Sequence, residues 1–186
     1  MQILAGLGNP GKSYASHRHN VGYWLIDAII KKHQLTAKEK PGYWVYPWQH
    51  DYGTTYFMKS KQYMNDSGLA IRQLAQFYKI PPQAIWVAYD DMDFLPGQVR
   101  VKKQGGAGGH NGIKSTIAHL GPVFNRLRFG VGRPLSPDDV KHYVLSSPSA
   151  EDREKIEASI DIVESHLGLL LSGDYAKFTE VLHSDT

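Results

Sequence analysis

Apolar residues in this chain switch repeatedly between a strand period and a helix period, and that alternation restricts the fold more than any other feature. Gln2–Leu7 is a short apolar run ended by Gly8-Asn9-Pro10-Gly11, the pattern of a buried strand stopped by a turn. From Asn20, a residue type that caps helices, Val21, Trp24, Leu25, Ala28 and Ile29 share one helical face. Two β-rich runs follow, Tyr43–His50 and Thr54–Ser60, joined across Asp51-Tyr52-Gly53 as a hairpin. Asn65 or Asp66 then caps a second helix with Ala70, Leu74, Phe77 and Tyr78 on one face, stopped by Pro81-Pro82. Ile85–Tyr89 is a fully apolar strand running into Asp90-Asp91-Met92-Asp93. Val99–Lys103 alternates like a half-exposed strand, and the glycine-rich stretch Gly105–Gly109 leads into a helix from Asn111 to Leu120. Leu127–Val131 reads as another strand, and Ile156, Ile160, Val163, Leu167, Leu170 and Leu171 form one stripe in a helical tail. Strands alternating with amphipathic helices predict an α/β sheet with helices packed on it. With no internal repeat and no low-complexity linker, residues 1–186 read as one domain.

Cysteine is absent, which excludes disulfide scaffolds, thiol nucleophiles and thiolate metal sites. No stretch of about 18 apolar residues exists, and Met1–Ala5 carries neither a basic leader nor a small-residue cleavage signal, so a soluble cytoplasmic protein is expected. The formal net charge of +3 hides a segregation: residues 98–133 carry seven basic side chains and no acid, whereas residues 134–186 carry 4 basic and 11 acidic ones. A block of Arg100, Lys102, Lys103, Lys114, Arg126, Arg128 and Arg133 without a carboxylate is the footprint expected for a polyanion. The alternative is a solvated surface whose counter-charges come from the acidic tail after folding.

Two glycine motifs point to nucleotides and fail on mechanism. Gly6-Leu7-Gly8-Asn9-Pro10-Gly11 matches the dinucleotide fingerprint, yet helical periodicity begins only near residue 20, too late to put a helix N-terminus on a pyrophosphate. In Gly108-Gly109-His110-Asn111-Gly112-Ile113-Lys114-Ser115 the lysine does not follow the last glycine, so a phosphate cradle is not formed. No G-x-S-x-G elbow occurs either, leaving a serine hydrolase without its anchor.

What remains is a set of polar residues at predicted strand ends, where open α/β sheets place their sites. Asn9 follows the first strand, Asp90 the apolar Ile85–Tyr89 strand, and Tyr63-Met64-Asn65 the hairpin; His19 and His110-Asn111 lie in connections. A histidine oriented by a carboxylate is a general base, and carboxamides are neutral donors for a developing oxyanion. Without serine elbow or cysteine the nucleophile is water, and the chemistry suggested is hydrolysis of an ester or similar acyl bond. Structural roles stay open beside this one: Asn9 as a turn residue, Asn65 as a helix cap, His110 as a satisfied loop residue. So does a metal site built from His17, His19, Asp90, Asp91 and Asp93, although the charge of Arg18 disfavours a cation there.

Taken together, Gly6–Gly11, Tyr14 with Arg18-His19-Asn20-Val21-Gly22, Tyr63-Met64-Asn65-Asp66-Ser67-Gly68, Asp90-Asp91-Met92-Asp93 and Gly108–Gly112 resemble the bacterial peptidyl-tRNA hydrolase family, across residues 2–183. The resemblance implies a monomeric single domain with a mixed sheet flanked by helices. It implies cleavage of the ester joining a peptide to the 3′ ribose of tRNA, with no cofactor, no metal, no membrane and no obligate protein partner. Carried over by position, His19 is the general base, Asp90 its orienting carboxylate, and Asn9 belongs with them. Asn65 and Asn111 position substrate, one of them holding the water or the oxyanion. Tyr14 sits against the terminal nucleotide, Tyr63 is a further substrate-binding residue, Met64 and His110 line the peptide channel, and Arg100, Lys102 and Arg128 grip phosphates of the 5′ end and acceptor stem. Residues 136–149 correspond to a mobile lid and 150–184 to a helical tail packed on the domain. Two departures stand out: His17 occupies a position where the family shows a small hydroxyl residue, and the proline spacing after the acidic loop is altered in Phe94-Leu95-Pro96-Gly97.

Overall fold

Period-two alternation in β1 (Gln2–Gly6) decides the layering, because Ile3 and Ala5 face one side of the sheet and Leu4 the other, all of them buried. The computed structural model describes residues 1–184. Its other strands are β2 (Lys38–Glu39), β3 (Tyr43–His50), β4 (Gly53–Ser60), β5 (Ile85–Asp91), β6 (Val99–Lys102) and β7 (Asn125–Gly130). They form one sheet in the order β2-β3-β4-β1-β5-β7-β6. The four central strands β4, β1, β5 and β7 run parallel, and antiparallel pairs flank them, so the sheet is mixed as expected.

Helices cover both faces. On the Leu4 face, α1 (Val21–His33) packs with the tail helices α5 (Ala150–Ser165), α6 (Leu167–Ser172) and α7 (Tyr175–Ser184) over Phe57, Trp86 and Leu127. On the Ile3 face, α2 (Ser67–Tyr78) and α3 (Asn111–Leu120) cover Met58, Ile85 and Val87. A short helix, α4 (Val140–Val144), lies between β7 and the tail. No helix of the described residues is long and apolar enough to cross a membrane.

From β1 the chain goes through α1 and the hairpin to β4; from β4 it returns through α2 to β5 on the other side of β1. The connections after β1 and β5 therefore diverge, which opens a crevice beyond their carboxyl ends. The start of α1 is drawn hard onto this edge by two glycines. A Cβ on Gly6 would lie 2.2 Å from the Gly22 carbonyl oxygen, and one on Gly22 would lie 2.3 Å from the Ala88 oxygen.

Several local expectations are corrected. Asn20 makes no cap hydrogen bond to α1, and α2 starts at Ser67 with no side-chain cap bond from Asp66. Phe77 is 67% exposed, because the buried face of α2 is Ala70, Ile71, Leu74 and Ala75. Asp90 and Asp91 lie inside β5 rather than after it, held by the parallel ladder to Phe129 and Gly130 of β7. The tail stripe is buried as read from its periodicity, but it belongs to separate helices that break at His166 and Gly173.

Candidate active site

Adjacency of β4, β1 and β5 brings the polar ends of three strands into one cleft of about 790 Å³. His19 sits in a 3-10 turn, Arg18–Asn20, immediately before α1, and its Nδ1 lies 3.0 Å from both carboxylate oxygens of Asp90. His19 is 8% exposed and Asp90 3%. Burial opposes a charge on His19, but the Asp90 carboxylate, by its field and its hydrogen bond, outweighs burial and raises the imidazole pKa above 6.5. Burial likewise opposes ionisation of Asp90, yet the two histidines beside it hold its carboxyl well below the usual range.

The second histidine is His110, whose Nε2 is 2.8 Å from Asp90 Oδ1. Its Nδ1 accepts the backbone N–H groups of Gly112 and Ile113 at 3.1 and 3.3 Å, making it the N-cap of α3. With Nδ1 an acceptor, the ring proton sits on Nε2 and is donated to Asp90. The His110 ring is thus satisfied on both nitrogens, but as the N-cap of α3 rather than as a loop residue, and it helps to orient the carboxylate. Asp90 in turn takes the Nδ1–H of His19, which leaves His19 Nε2 without a partner among the described residues, in a side chain that lines the cleft.

Asn9 is fixed as a hydrogen-bond donor. Its Oδ1 accepts the Met64 N–H at 2.7 Å, so its amide N–H₂ is left for the cleft it lines. Its backbone is clamped by Asn20, whose Oδ1 accepts the Asn9 N–H and whose Nδ2 donates to the Asn9 carbonyl, both at 2.9 Å. Asn20 is thus a brace for Asn9, a role that its sequence position disguised as a helix cap. Met64, Asn65 and Asn111 line the same cleft. Tyr14 and Tyr63 do not; they meet edge to face at 5.9 Å outside it, with His17 against Tyr14 at 5.6 Å. Burial, then the charge of His19, lowers the His17 pKa, so the two rings are electrostatically linked.

The basic block divides on folding. Lys102, Arg128 and Arg133 line the cleft and Arg100 stands opposite Arg128 across the β6–β7 pair. Arg126 is fully buried and donates to the carbonyls of Gly105, Gly106 and Pro122, so it is a clasp on the glycine loop and not part of a surface footprint. Among the described residues the counter-charges come from the end of β5 and the loop after it rather than from the tail: Asp91, the last residue of β5, is 3.7 Å from Arg128, and Asp93 in the loop pairs with Arg133. The segment 136–149 closes one wall through Val140, Lys141, Val144 and Leu145. Sequence reasoning missed its fastening: Arg18 donates to the Tyr143 carbonyl and the Ser146 hydroxyl at 3.1 and 2.7 Å and stacks on the Tyr143 ring at 3.9 Å.

Three side chains that could share a metal ion, His19, Asp90 and His110, have donor atoms within 4.8 Å of one another. His17, Asp91 and Asp93 do not join them, so the set expected from the sequence is not the one the fold assembles among the described residues. Each of the three side chains is already occupied in hydrogen bonding to another, an arrangement that fits a base and its carboxylate.

The model of the peptidyl-tRNA hydrolase family matches residues 3–186. The chain belongs to the peptidyl-tRNA hydrolase family. Relatives named peptidyl-tRNA hydrolase include one from Halorhodospira halophila, 40% identical over 98% of this chain and 96% of its own length. Another, from Coxiella burnetii, is 42% identical over 99% and 98%. The crystal structure of peptidyl-tRNA hydrolase from Acinetobacter baumannii is 34% identical over 98% of this chain and 94% of that one, and superposes with a TM-score of 0.93. Both the resemblance carried by five motifs and the α/β fold with a mixed sheet are borne out.

Proposed function

We propose that this chain performs the reaction for which its family is named, hydrolysing the ester between a peptide and the 3′ ribose of tRNA, with His19 as general base. The observation that carries the reading is the Asp90 carboxylate holding His19 Nδ1 while Nε2, at the cleft, has no partner among the described residues. His19 Nε2 takes a proton from water as the water oxygen attacks the ester carbonyl carbon. The Asn9 amide and that of Asn65 or Asn111 donate to the oxyanion. Collapse of the tetrahedral intermediate expels the ribose oxygen, which receives the proton from His19; free tRNA and peptide leave. Asp90 remains ionised throughout and holds the tautomer, as the carboxylate of a catalytic triad does.

Arg100, Lys102 and Arg128 are assigned to phosphates of the tRNA 5′ end and acceptor stem, Met64 and His110 to the peptide channel, Tyr14 to the terminal nucleotide, and Tyr63 to substrate binding beside it. Residues 136–149 are assigned the part of a mobile lid. A cytoplasmic enzyme working as a monomer, with no obligate protein partner, suits a substrate made in translation. The test is single-turnover cleavage of N-acetyl-aminoacyl-tRNA beside the unacetylated form. The intact chain is expected to cleave the acetylated substrate preferentially, and His19→Ala to lose about 10² to 10⁴-fold in rate. Binding without cleavage by the intact chain refutes the enzymatic reading. Loss of activity in a chelator would move the chemistry to a metal held by His19, Asp90 and His110.

A further inference from the structure

Phe94 is left unused by this chemistry, and its surroundings are unusual. Arg100 and Arg128 face each other across the antiparallel β6–β7 pair, an arrangement in which like charges repel. The Phe94 ring lies within cation–π reach of both, its centroid 5.6 Å from the Arg100 guanidinium carbon and 4.9 Å from that of Arg128. Asp91 reaches only Arg128, at 3.7 Å. Phe94 belongs to neither hydrophobic core cluster, so its partners are the cations rather than the core. Its backbone is pinned: the Phe94 carbonyl accepts the Gly132 N–H at 3.0 Å, and a Cβ on Gly130 would lie 2.1 Å from the Leu95 oxygen. The Leu95 and Gln98 backbones bond at 3.0 Å, and the Gln98 side chain accepts the Leu95 N–H at 3.0 Å.

We propose that Phe94 is a positioning residue for substrate phosphate: its ring holds the Arg100 and Arg128 guanidiniums together as a preformed pair that grips one phosphate of the tRNA. Two planar forks converging on a single anion supply charge-assisted hydrogen bonds, and holding them beforehand removes the cost of ordering two long side chains on binding. The inference rests on the reading that these cations meet tRNA phosphate.

The test is steady-state cleavage of N-acetyl-aminoacyl-tRNA by Phe94→Leu, Phe94→Trp and Arg128→Ala, with thermal melting of each variant. Phe94→Leu is expected to raise KM about three- to tenfold with kcat unchanged, and Phe94→Trp to keep KM near that of the parent. Arg128→Ala tests the underlying reading separately and is expected to raise KM and flatten its salt dependence. An unchanged KM in Phe94→Leu beside a raised KM in Arg128→Ala overturns the positioning role and leaves the phosphate reading standing. A fall in kcat that Phe94→Trp does not restore also overturns it, since the ring would then serve only to shape the loop. If Arg128→Ala leaves KM and its salt dependence untouched, the phosphate reading fails and this inference falls with it.

Discussion

One carboxylate organises the cleft at the scale of single residues. Asp90 receives a proton-bearing nitrogen from each of two histidines, and of the two only His19 has a second nitrogen with no partner among the described residues, open to accept a proton. General base catalysis requires neutral His19, and Asp90 raises its pKa, so activity should rise with pH through a midpoint above 6.5. Replacing Asp90 by Asn removes the raising influence and leaves burial, which lowers. The acid limb of the single-turnover rate should then move to lower pH while the plateau falls by about 10²-fold or more. Rate–pH profiles of the two proteins check this; coincident limbs would mean that Asp90 does not govern His19. Asn20 shows how a residue's role hides in its position. The chemistry that lets an asparagine cap a helix also lets it bridge the N–H and carbonyl of Asn9, and only the fold chooses between them.

Among the elements, the decisive contact is the start of α1 on the ends of β1 and β5. His19 can reach Asp90 only because Gly6 and Gly22 allow helix and strand to approach without side chains between them. Gly22→Ala would put a methyl group 2.3 Å from the Ala88 oxygen and 2.4 Å from the Leu7 nitrogen, both of them backbone atoms with little room to yield. The expected cost is about 1–3 kcal/mol of stability, seen as a melting temperature lowered by several degrees. A loss of activity should accompany it below the melting transition, as the His19 turn shifts with the helix. Calorimetry and turnover of the same preparation test both; wild-type melting would mean that the contact relaxes freely. The Arg18 clasp works at the same scale, since the turn that carries His19 also holds α4 through Tyr143 and the chain just after it through Ser146.

Charge is a property of the whole molecule, and the chain order of lysines and arginines describes it incompletely. Residues 98–133 contribute seven cations, but Arg126 is turned inward onto backbone carbonyls while Arg128 borders the cleft. Arg128→Ala should therefore reduce the salt slope of tRNA binding by about one unit. Arg126→Ala should leave that slope unchanged and lower stability by about 1–3 kcal/mol, because three carbonyl groups lose their donor. Binding isotherms across a salt series, with melting curves, separate the two; a reduced slope in Arg126→Ala would place its charge on the nucleic acid after all.

Alternating periods, glycine stops and strand-end asparagines carried the α/β class, every strand except the two-residue β2, and the cleft residues His19, Asp90, Asn9, Met64, Asn65 and Asn111, because each is a local signal in which hydrophobic period or turn chemistry is read over a few positions. Strand order was not readable in this way, since nothing local dictates that the third long strand returns to lie beside the first. That order brings His19 against Asp90, 71 residues away, and His110 against the other side of the same carboxylate. The pairing of Asn20 with Asn9, the inward turn of Arg126 and the Phe94 contact with two arginines also waited for the tertiary structure. Asn20 and Arg126 are polar groups whose partner is chosen by burial, and the Phe94 ring is placed by the backbone bonds that pin its loop. Those choices are made when the sheet edge, the helix start and the loops meet in three dimensions.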